Sequence, residues 1–394
     1  MKKKKSHVRK RHRFWFFVLR PVGWAIALVY GFRYKVFRIK KGENYLILAN
    51  HQTLLDPALL CISFNAPIYL MATDTILRNN IPSRLLRYCF APIAKKKGAV
   101  DVSSIMNCMR VARAGGNVAI FPEGNRAWAD FQFYITPSIV KMIRMINLPL
   151  IIYNFDGGYG VDPRWGAKLR KGKFRGYVRS VISLDEIKKM SDDELCERVI
   201  SELRVIDSES GNKYRSSRRA EYLERELFVC PVCHSVSSLR SVGNYVECTD
   251  CELQVEYTEE LTLRSDYPDF KFKKLVDWYE YQLRFIENNT VTDGDEIYSD
   301  ENVVMNDITG KNTVKLGEGR LTLDSEKIRV GDFEVDLLDV IGASVVGGRK
   351  LAINTADRSY TIVGDSRFNA LKYVLTFNVL KTGIKEEKYY ALSI

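Results

Sequence analysis

Short apolar runs alternate with helical patterns in the first half of the chain. Residues 45–49, 118–121 and 150–153 are each a short run of mainly aliphatic and aromatic side chains. Runs of this length predict buried strands. Residues 138–146, between the last two runs, repeat apolar positions at helical spacing. Strands separated by crossover helices predict an α/β domain, in which ligands bind just beyond the ends of the strands.

The pattern changes after about residue 185. Residues 185–227 are charged and predicted to be helical. A cationic cluster within them indicates an exposed connection: Lys213, Arg215, Arg218 and Arg219. A helix is expected over residues 275–286, and residues 290–312, rich in Asn, Asp and Gly, predict a linker.

Beyond the linker the apolar positions alternate with a period of two. This alternation over residues 321–337 predicts antiparallel strands. Further strands are expected at about residues 350–355 and 358–363, followed by an amphipathic helix over residues 368–379. A small sheet closed by one C-terminal helix resembles a pleckstrin-homology (PH) or GRAM-type domain. This resemblance is architectural and carries no motif.

The N-terminal segment is basic and then apolar. Eight of the first thirteen residues are Lys or Arg, and an aromatic-rich run over residues 14–32 follows, interrupted at Arg20-Pro21. A membrane-spanning helix needs roughly 20 uninterrupted apolar residues and proline breaks helices, so one or two interfacial helices are expected. Cations beside an apolar face suit the anionic cytoplasmic leaflet. We therefore predict a membrane anchor.

Three alternatives to this anchor remain open. A single tilted transmembrane helix has the same composition. A cleaved signal peptide would need a small-residue cleavage site, and none is convincing in this segment. A basic nucleic-acid-binding arm would leave the tryptophans and phenylalanines without a role.

The chain has four histidines, and only His51 lies within the α/β region. Imidazole exchanges protons near neutral pH, so His51 is the candidate general base, with a hydrogen-bonded structural histidine as the alternative. Asp56-Pro57 predicts the start of a helix with Asp56 as its cap. If His51 lies in a loop folded back toward that helix, Asp56 can accept a hydrogen bond from the ring nitrogen not used in chemistry. If Asp56 is only a cap, this pairing fails.

No protein nucleophile accompanies His51 in the sequence. Four cysteines lie in apolar or helical surroundings typical of buried structural cysteines: Cys61, Cys89, Cys108 and Cys196. A histidine base without a nucleophile indicates direct attack by a substrate hydroxyl, as in acyl transfer from a thioester. A second motif, Phe121-Pro122-Glu123-Gly124-Asn125-Arg126, follows another predicted strand some 70 residues after His51.

Together, the two motifs resemble those of the glycerolipid acyltransferase family, which includes 1-acylglycerol-3-phosphate acyltransferases. The resemblance extends over roughly residues 14–205. It implies transfer of a fatty acyl group from acyl-coenzyme A or acyl carrier protein to a glycerophosphate hydroxyl, giving phosphatidic acid when lysophosphatidic acid is the acceptor. It also implies that His51 and Asp56 form the catalytic pair. Glu123, Gly124 and Arg126 would hold the glycerophosphate end of the acceptor.

Two departures from the family's pattern leave the acceptor open. Asn125 and Ala127 stand where the family commonly has Thr and a small residue such as Ser. The family's second block usually supplies an arginine for phosphate, whereas residues 92–98 offer only lysines. Lys96 or Lys97 can bind phosphate as a point charge, and a solvated charge run is the alternative. Glycerol 3-phosphate, another lysophospholipid or an aminolipid therefore remain possible acceptors.

Two Cys-x-x-Cys pairs, Cys230 with Cys233 and Cys248 with Cys251, form a separate signal. Fourteen residues between the pairs predict a structural zinc ribbon with four cysteine ligands; disulfides are the alternative. Zinc ribbons also bind other macromolecules, so a membrane-bound scaffold that recruits a partner is a second class of function. Arg240 is the only Lys or Arg between the pairs, so nucleic acid is not an expected partner.

The chain of 394 residues, with a net charge of +12, is predicted to contain five regions. These are a membrane anchor (1–40), an acyltransferase domain (41–226), a zinc ribbon (227–258), a helix and linker (259–312) and a PH/GRAM-like β domain (313–394). We expect a membrane-associated enzyme with its active site on the cytoplasmic face. Its expected partners are a phospholipid membrane, a lysophospholipid acceptor and an acyl-CoA or acyl carrier protein donor.

Overall fold

The computed structural model describes residues 8–73, 81–95, 102–126, 128–132, 134–289, 295–310 and 312–382. Within these ranges the chain forms a mixed α/β sheet, a four-stranded antiparallel sheet and a seven-stranded antiparallel sheet. Lys96 and Lys97, the lysines predicted to bind phosphate, lie outside the described residues, as does Ala127.

The N-terminal segment forms two short helices, α1 (Lys10–Val18) and α2 (Arg20–Tyr30), bent by 41° where the sequence predicts a break. Arg20 is bound to the protein, because its guanidinium donates hydrogen bonds to the carbonyls of Ile62 (2.9 Å) and Phe64 (2.6 Å). Among the described residues, no single helix is long and apolar enough to cross a membrane. Taken together, α1 and α2 meet that requirement of length and composition.

The first sheet is mostly parallel, with the strand order β1, β7, β6, β2, β5, β3, β4. Among the pairs it forms, β6 with β7 is antiparallel and the others are parallel. Its strands are β1 (Phe32–Tyr34), β2 (Leu46–Ala49), β3 (Ile68–Thr73), β4 (Ile93–Lys95), β5 (Asn117–Ile120), β6 (Leu150–Asp156) and β7 (Phe174–Ile182). The accompanying helices are α3 (Asp56–Ile62), α4 (Ile81–Phe90), α5 (Val102–Arg113), α6 (Ser138–Ile146) and α7 (Gly158–Val161).

Both faces of this sheet are covered. Because side chains alternate along a strand, β2 places Leu46 and Leu48 in one hydrophobic core and Ile47 and Ala49 in the other. Strands buried on both faces are apolar throughout, as β2, β5 and β6 largely are. The predicted strands and the helix at 138–146 correspond to β2, β5, β6 and α6, so the α/β prediction is confirmed.

The helical prediction for residues 185–227 is correct only as far as Leu203. Helices α8 (Leu184–Lys189) and α9 (Asp192–Leu203) each begin with a serine capping box. The described chain beyond them contains two short 3-10 turns before the second sheet. The predicted exposed connection is wrong for Arg219, which is buried because this segment packs on the second sheet, where Arg219 Nε donates to the Tyr257 carbonyl (3.0 Å).

The second sheet is antiparallel and is joined to one long helix. Its strands are β8 (Leu239–Val242), β9 (Tyr245–Cys248), β10 (Gln254–Tyr257) and β11 (Leu263–Arg264), and the helix is α10 (Leu275–Asn289). Trp278 of α10 donates from Nε1 to the carbonyl of Val229 (2.8 Å), and Gln282 donates to the carbonyl of Glu226 (2.8 Å). These contacts join α10 to the chain that leads into the cysteine pairs.

The third sheet has the order β15, β14, β13, β12, β18, β17, β16 and packs against a C-terminal helix. Its elements are β12 (Tyr298–Asp307), β13 (Val314–Leu323), β14 (Lys327–Val330), β15 (Phe333–Asp336), β16 (Gly342–Val346), β17 (Lys350–Asn354), β18 (Ser359–Val363) and α11 (Ala370–Thr382). The linker predicted for residues 290–312 is therefore wrong over β12, where Val303 and Met305 are buried in the core. Assignment to a PH or GRAM family stays a prediction.

Candidate active site and cysteine cluster

His51 and Asp56 are brought together by the loop between β2 and α3. Asp56 is fully buried, and its Oδ2 accepts a hydrogen bond from His51 Nδ1 at 2.9 Å. The same oxygen accepts the backbone N–H groups of Gln52 (2.7 Å) and Thr53 (2.9 Å), and Oδ1 accepts the Thr53 hydroxyl (2.5 Å). One carboxylate therefore folds the loop back on the helix start.

The prediction that Asp56 caps α3 is wrong. Asp56 is the first residue of the helix, and Leu55 occupies the cap position without a side-chain cap. The Asp56 carboxylate accepts from N–H groups that precede the helix rather than from those of its first turn, because the loop returns over it. With Nδ1 bound to Asp56, Nε2 is the ring nitrogen of His51 that is left for proton transfer.

The second motif lies after β5, beside the histidine loop. Glu123 is buried, and its Oε1 accepts the backbone N–H of His51 at 3.2 Å. Phe121 stacks on the His51 ring with 4.5 Å between centroids. Gly124 has φ +71°, a left-handed conformation that glycine adopts without strain, and its N–H closes a turn on the Phe121 carbonyl (3.0 Å). The turn sets the direction in which Asn125 and Arg126 leave the strand.

Arg126 is held by backbone carbonyls from two other segments. Its Nε donates to the carbonyl of Gln52 (3.3 Å), and its Nη2 donates to the carbonyl of Asp162 (3.0 Å). The Asp162 carboxylate lies 3.7 Å from Nη2 and accepts a hydrogen bond from the Tyr30 hydroxyl of α2 (3.1 Å). Burial raises the pKa of Asp162, and the Arg126 charge acts in the opposite direction. Arg126 thus connects the histidine loop to the end of the N-terminal helices.

Next to His51 is a small cleft, lined in part by Gln52, Glu123 and Asp130. Gln52 is buried there, accepting the N–H of Gly158 on Oε1 (2.8 Å) and donating from Nε2 to Asp207 (3.2 Å). Asp207 also accepts the N–H groups of Gly157 and Gly160, both at 2.9 Å. A carboxylate far along the chain therefore holds Gln52, which lines the cleft.

Four further residues at or beside the site were not predicted from the sequence: Gln52, Asp162, Arg164 and Asp207. A signal existed for the cluster around Asp207, because Gly157, Gly158 and Gly160 follow a buried strand, and such runs indicate close backbone approach. No local pattern marks Asp207 itself, which comes from a 3-10 turn after α9. Its role exists only once distant segments meet.

The four cysteines of the two pairs lie together at one end of the second sheet. Their sulfur atoms all lie within 4.8 Å of one another. Cys230 and Cys251 are 3.7 Å apart at sulfur, and Cys233 and Cys248 are 3.6 Å apart. These separations exceed the bond length of a disulfide, about 2.05 Å. Four sulfurs in this arrangement could hold a metal ion.

Part of the chain is similar in sequence to known acyltransferases. Residues 34–153 match the family model described as Acyltransferase. The 1-acyl-sn-glycerol-3-phosphate acyltransferase of Borreliella burgdorferi is 25% identical over 120 residues. Both motifs lie inside the range that matches this family model. The match is shorter than the predicted range of 14–205.

The coverage of these comparisons is partial. The alignment with the Borreliella protein covers 29% of this chain and 48% of that protein, so the chain spans about half the length of its curated relative. Among solved structures, the 1-acyl-sn-glycerophosphate (LPA) acyltransferase PlsC from Thermotoga maritima matches with a TM-score of 0.40 and 18% identity, over 47% of this chain and 74% of that chain.

Asp207 should make the stability of the protein depend on pH. Burial and then the charge of Asp130 raise the pKa of Asp207 from 3.8 to about 8. Between these values the folded chain keeps a proton that the unfolded chain releases, so the free energy of unfolding should fall as pH rises from about 4 to about 8. Asp207→Asn cannot titrate and should show a smaller fall in melting temperature over that range.

Asp357→Asn is the matched control for this measurement. It makes the same chemical change at an exposed position between β17 and β18, and should keep the wild-type pH dependence. An Asp207→Asn profile parallel to that of the wild-type protein would contradict the assignment of the proton to Asp207.

Proposed function

We propose that the protein is an O-acyltransferase that transfers a fatty acyl group from a thioester donor to lysophosphatidic acid, giving phosphatidic acid. The observation that carries the proposal is the His51–Asp56 hydrogen bond of 2.9 Å beside the cleft, with Arg126 fixed nearby through the carbonyl of Gln52. The proposed donor is acyl-CoA or acyl-ACP. The name of the similar Borreliella protein, a 1-acyl-sn-glycerol-3-phosphate acyltransferase, supports lysophosphatidic acid as the acceptor.

In the proposed reaction His51 acts as the general base. Asp56 accepts the Nδ1 proton, fixes the tautomer and stabilises the imidazolium that forms. His51 Nε2 takes the proton of the acceptor hydroxyl while the hydroxyl oxygen attacks the thioester carbonyl carbon. The carbon–sulfur bond then breaks, and the leaving thiolate takes the proton back from His51. The step needs no protein nucleophile.

Arg126 is the proposed phosphate-binding residue. A guanidinium donates charge-assisted hydrogen bonds to phosphate, and the two carbonyls that hold Nε and Nη2 keep the group in one orientation. In this arrangement Nη1 remains to contact the phosphate. Glu123 and Gly124 support the site through the backbone of His51 and the turn after β5. A contribution from Lys96 or Lys97 remains part of the proposal.

An acyl-transfer assay on the purified protein tests the function. Labelled acyl-CoA and acyl-ACP should be offered with lysophosphatidic acid, glycerol 3-phosphate, other lysophospholipids and an aminolipid. We expect His51→Ala to lower kcat by about 10²- to 10⁴-fold, the usual contribution of a general base. His234→Ala, a histidine beside the cysteine cluster, should leave kcat unchanged.

Two results would count against this mechanism. Unchanged turnover in His51→Ala would exclude His51 as the base. Transfer to an acceptor without phosphate in preference to lysophosphatidic acid would exclude the proposed acceptor while keeping the reaction class.

We also propose that α1 and α2 lie on a membrane, with the active site on its cytoplasmic face. Several large apolar side chains of these helices are exposed, among them Leu28 at 84% and Val29 at 70%. The cations Arg33, Lys35 and Arg38 follow directly and suit an anionic lipid surface. The hydrogen bond from Tyr30 to Asp162 would keep such a surface close to Arg126.

Vesicle binding tests this anchor. Leu28→Glu should weaken binding to vesicles containing phosphatidylglycerol by about tenfold or more, because burying one leucine is worth roughly 1.5–3 kcal/mol. Val242→Glu puts the same charge at a similarly exposed apolar position of β8 and should bind like the wild-type protein. Equal binding of the two variants would rule out α2 as the lipid-contacting element.

The metal of the cysteine cluster is proposed to be zinc. Tetrahedral zinc with four sulfurs at about 2.3 Å requires sulfur–sulfur separations of about 3.8 Å, close to the observed 3.6 and 3.7 Å. Cys230, Cys233, Cys248 and Cys251 would be the ligands. When bound, zinc would supply folding free energy rather than chemistry.

Metal analysis tests this assignment. The purified protein should contain about one zinc per chain, and Cys248→Ser should lower both the zinc content and the melting temperature. Cys196→Ser, on α9 and outside the cluster, should change neither. Zinc near zero in freshly purified protein, or zinc retained after all four ligands are replaced, would exclude the ribbon.

A further inference from the structure

Arg164 joins the loop after β5, which carries Asn125 and Arg126, to the third sheet, which is called the C-terminal sheet below. Its Nη1 donates to Asn125 Oδ1 (2.9 Å) and, at 3.4 Å, to the carbonyl of Arg126. Its Nη2 donates to the carbonyl of Val345 in β16 (2.7 Å). The guanidinium also lies 4.0 Å above the ring of Trp128. One planar group thus holds two parts of the chain, Asn125 and Val345, that are about 220 residues apart.

On the site side, Arg164 contacts the backbone and side chain that orient Arg126. Asn125 Oδ1 accepts two hydrogen bonds, one from Arg164 and one from the backbone N–H of Arg126 (3.0 Å). These bonds fix the peptide from which the Arg126 side chain extends. The guanidinium of Arg126 is held separately by Gln52 and Asp162. A change at Arg164 would therefore shift the backbone of Arg126. It would not remove the hydrogen-bond acceptors of the Arg126 guanidinium.

On the other side of Arg164, two parts of the C-terminal sheet contact it: strand β16 and the turn that follows β16. Strand β16 is an edge strand of the third sheet. The carbonyls on its outer side are available to other segments. The turn that follows it packs closely on the backbone of Arg164. A Cβ atom added at Gly348 would lie 2.8 Å from the Arg164 carbonyl oxygen, whereas one added at Gly347 would meet nothing within 4 Å.

The electrostatics make this contact sensitive to the position of the sheet. Burial and then the positive charge of Arg126 lower the pKa of Arg164 to about 9. A second guanidinium close to Arg126 is tolerated when its N–H groups have acceptors, because an unpaired buried donor is costly. If β16 moved away, Arg164 would lose the Val345 carbonyl, and its bond to Asn125 would no longer be fixed.

We infer that Arg164 is a positioning residue through which docking of the C-terminal sheet sets the acceptor-binding geometry of Arg126. The inference rests on the proposed function, in which Arg126 binds the acceptor phosphate. Loss of the contact should weaken binding of the acceptor phosphate. It should leave the His51–Asp56 pair unaffected, because the hydrogen bond between these two residues does not involve Asn125.

The first test replaces the planar guanidinium group of Arg164 with an ammonium group. Arg164→Lys keeps the positive charge but cannot contact Asn125 and Val345 with one rigid group. We expect the KM for lysophosphatidic acid to rise about tenfold, the effect of losing one hydrogen bond to a charged group, with kcat and the donor KM changed less than about twofold. The melting temperature, measured in parallel, should show that the variant is folded.

The second test leaves Arg164 in place and disturbs the sheet. Gly347 and Gly348 have similar left-handed backbones, with φ +61° and +77°, so alanine costs a similar strain at either position. Gly348→Ala alone adds a close contact to Arg164, and should raise the acceptor KM severalfold. Gly347→Ala should keep the wild-type acceptor KM.

Equilibrium binding of a short-chain, water-soluble lysophosphatidic acid to the full chain separates the possible failures. Weaker binding in Arg164→Lys and Gly348→Ala, with wild-type binding in Gly347→Ala, is the expected result. Unchanged binding in the first two variants would overturn the inference even if the wild-type protein is an active acyltransferase. Wild-type binding of this lipid without acyl transfer would overturn the proposed function instead, and absence of binding by the wild-type protein would overturn both.

Discussion

The carboxylate of Asp56 is the interaction on which the site depends. It is fully buried and accepts hydrogen bonds from the His51 ring, two backbone N–H groups and the Thr53 hydroxyl. A buried charge is stable when such donors surround it, and here the donors come from the loop that must be shaped. The hydrogen bonds to Asp56 therefore offset the free-energy cost of burying its carboxylate. They also fold the loop and fix the tautomer of His51. Gln52, whose backbone is held by this carboxylate, in turn gives Arg126 its acceptor.

The sheet beneath the loop explains why this geometry is rigid. Strands β2, β5 and β6 are central and buried on both faces, and the two motifs leave from the adjacent ends of β2 and β5. Asn50, directly after β2, pairs with both backbone groups of Phe155 in β6, at 2.7 and 2.8 Å. A loop fixed at both of its ends has little freedom to move His51 away from the second motif. The sheet contributes no chemistry, but it determines where the chemical groups meet.

Features encoded locally could be predicted from the sequence, and features created by tertiary packing could not. The runs at 45–49 and 118–121 predicted strands because burial on both faces requires continuous apolar residues, and His51, Asp56 and Arg126 follow such runs at short spacing. Strand β12 was missed because most of its residues are polar, and only Tyr298, Val303 and Met305 of this strand are buried in the core. Arg219 looks like a surface cation in sequence, and its burial depends on acceptors from β10. Arg164 and Asp207 likewise acquire their roles from partners far along the chain.

The bond between Gln52 and Asp207 has a consequence for modularity. The match to the family model ends at residue 153, yet Asp207 lies well beyond that boundary and holds Gln52, which lines the cleft. A fragment cut at the boundary would keep every recognisable motif and lose strand β7 together with this carboxylate. Grafting the matched segment onto another scaffold would have the same result. The smallest portion of this chain that can be excised or recombined as a working unit is therefore longer than the portion that sequence comparison recognises.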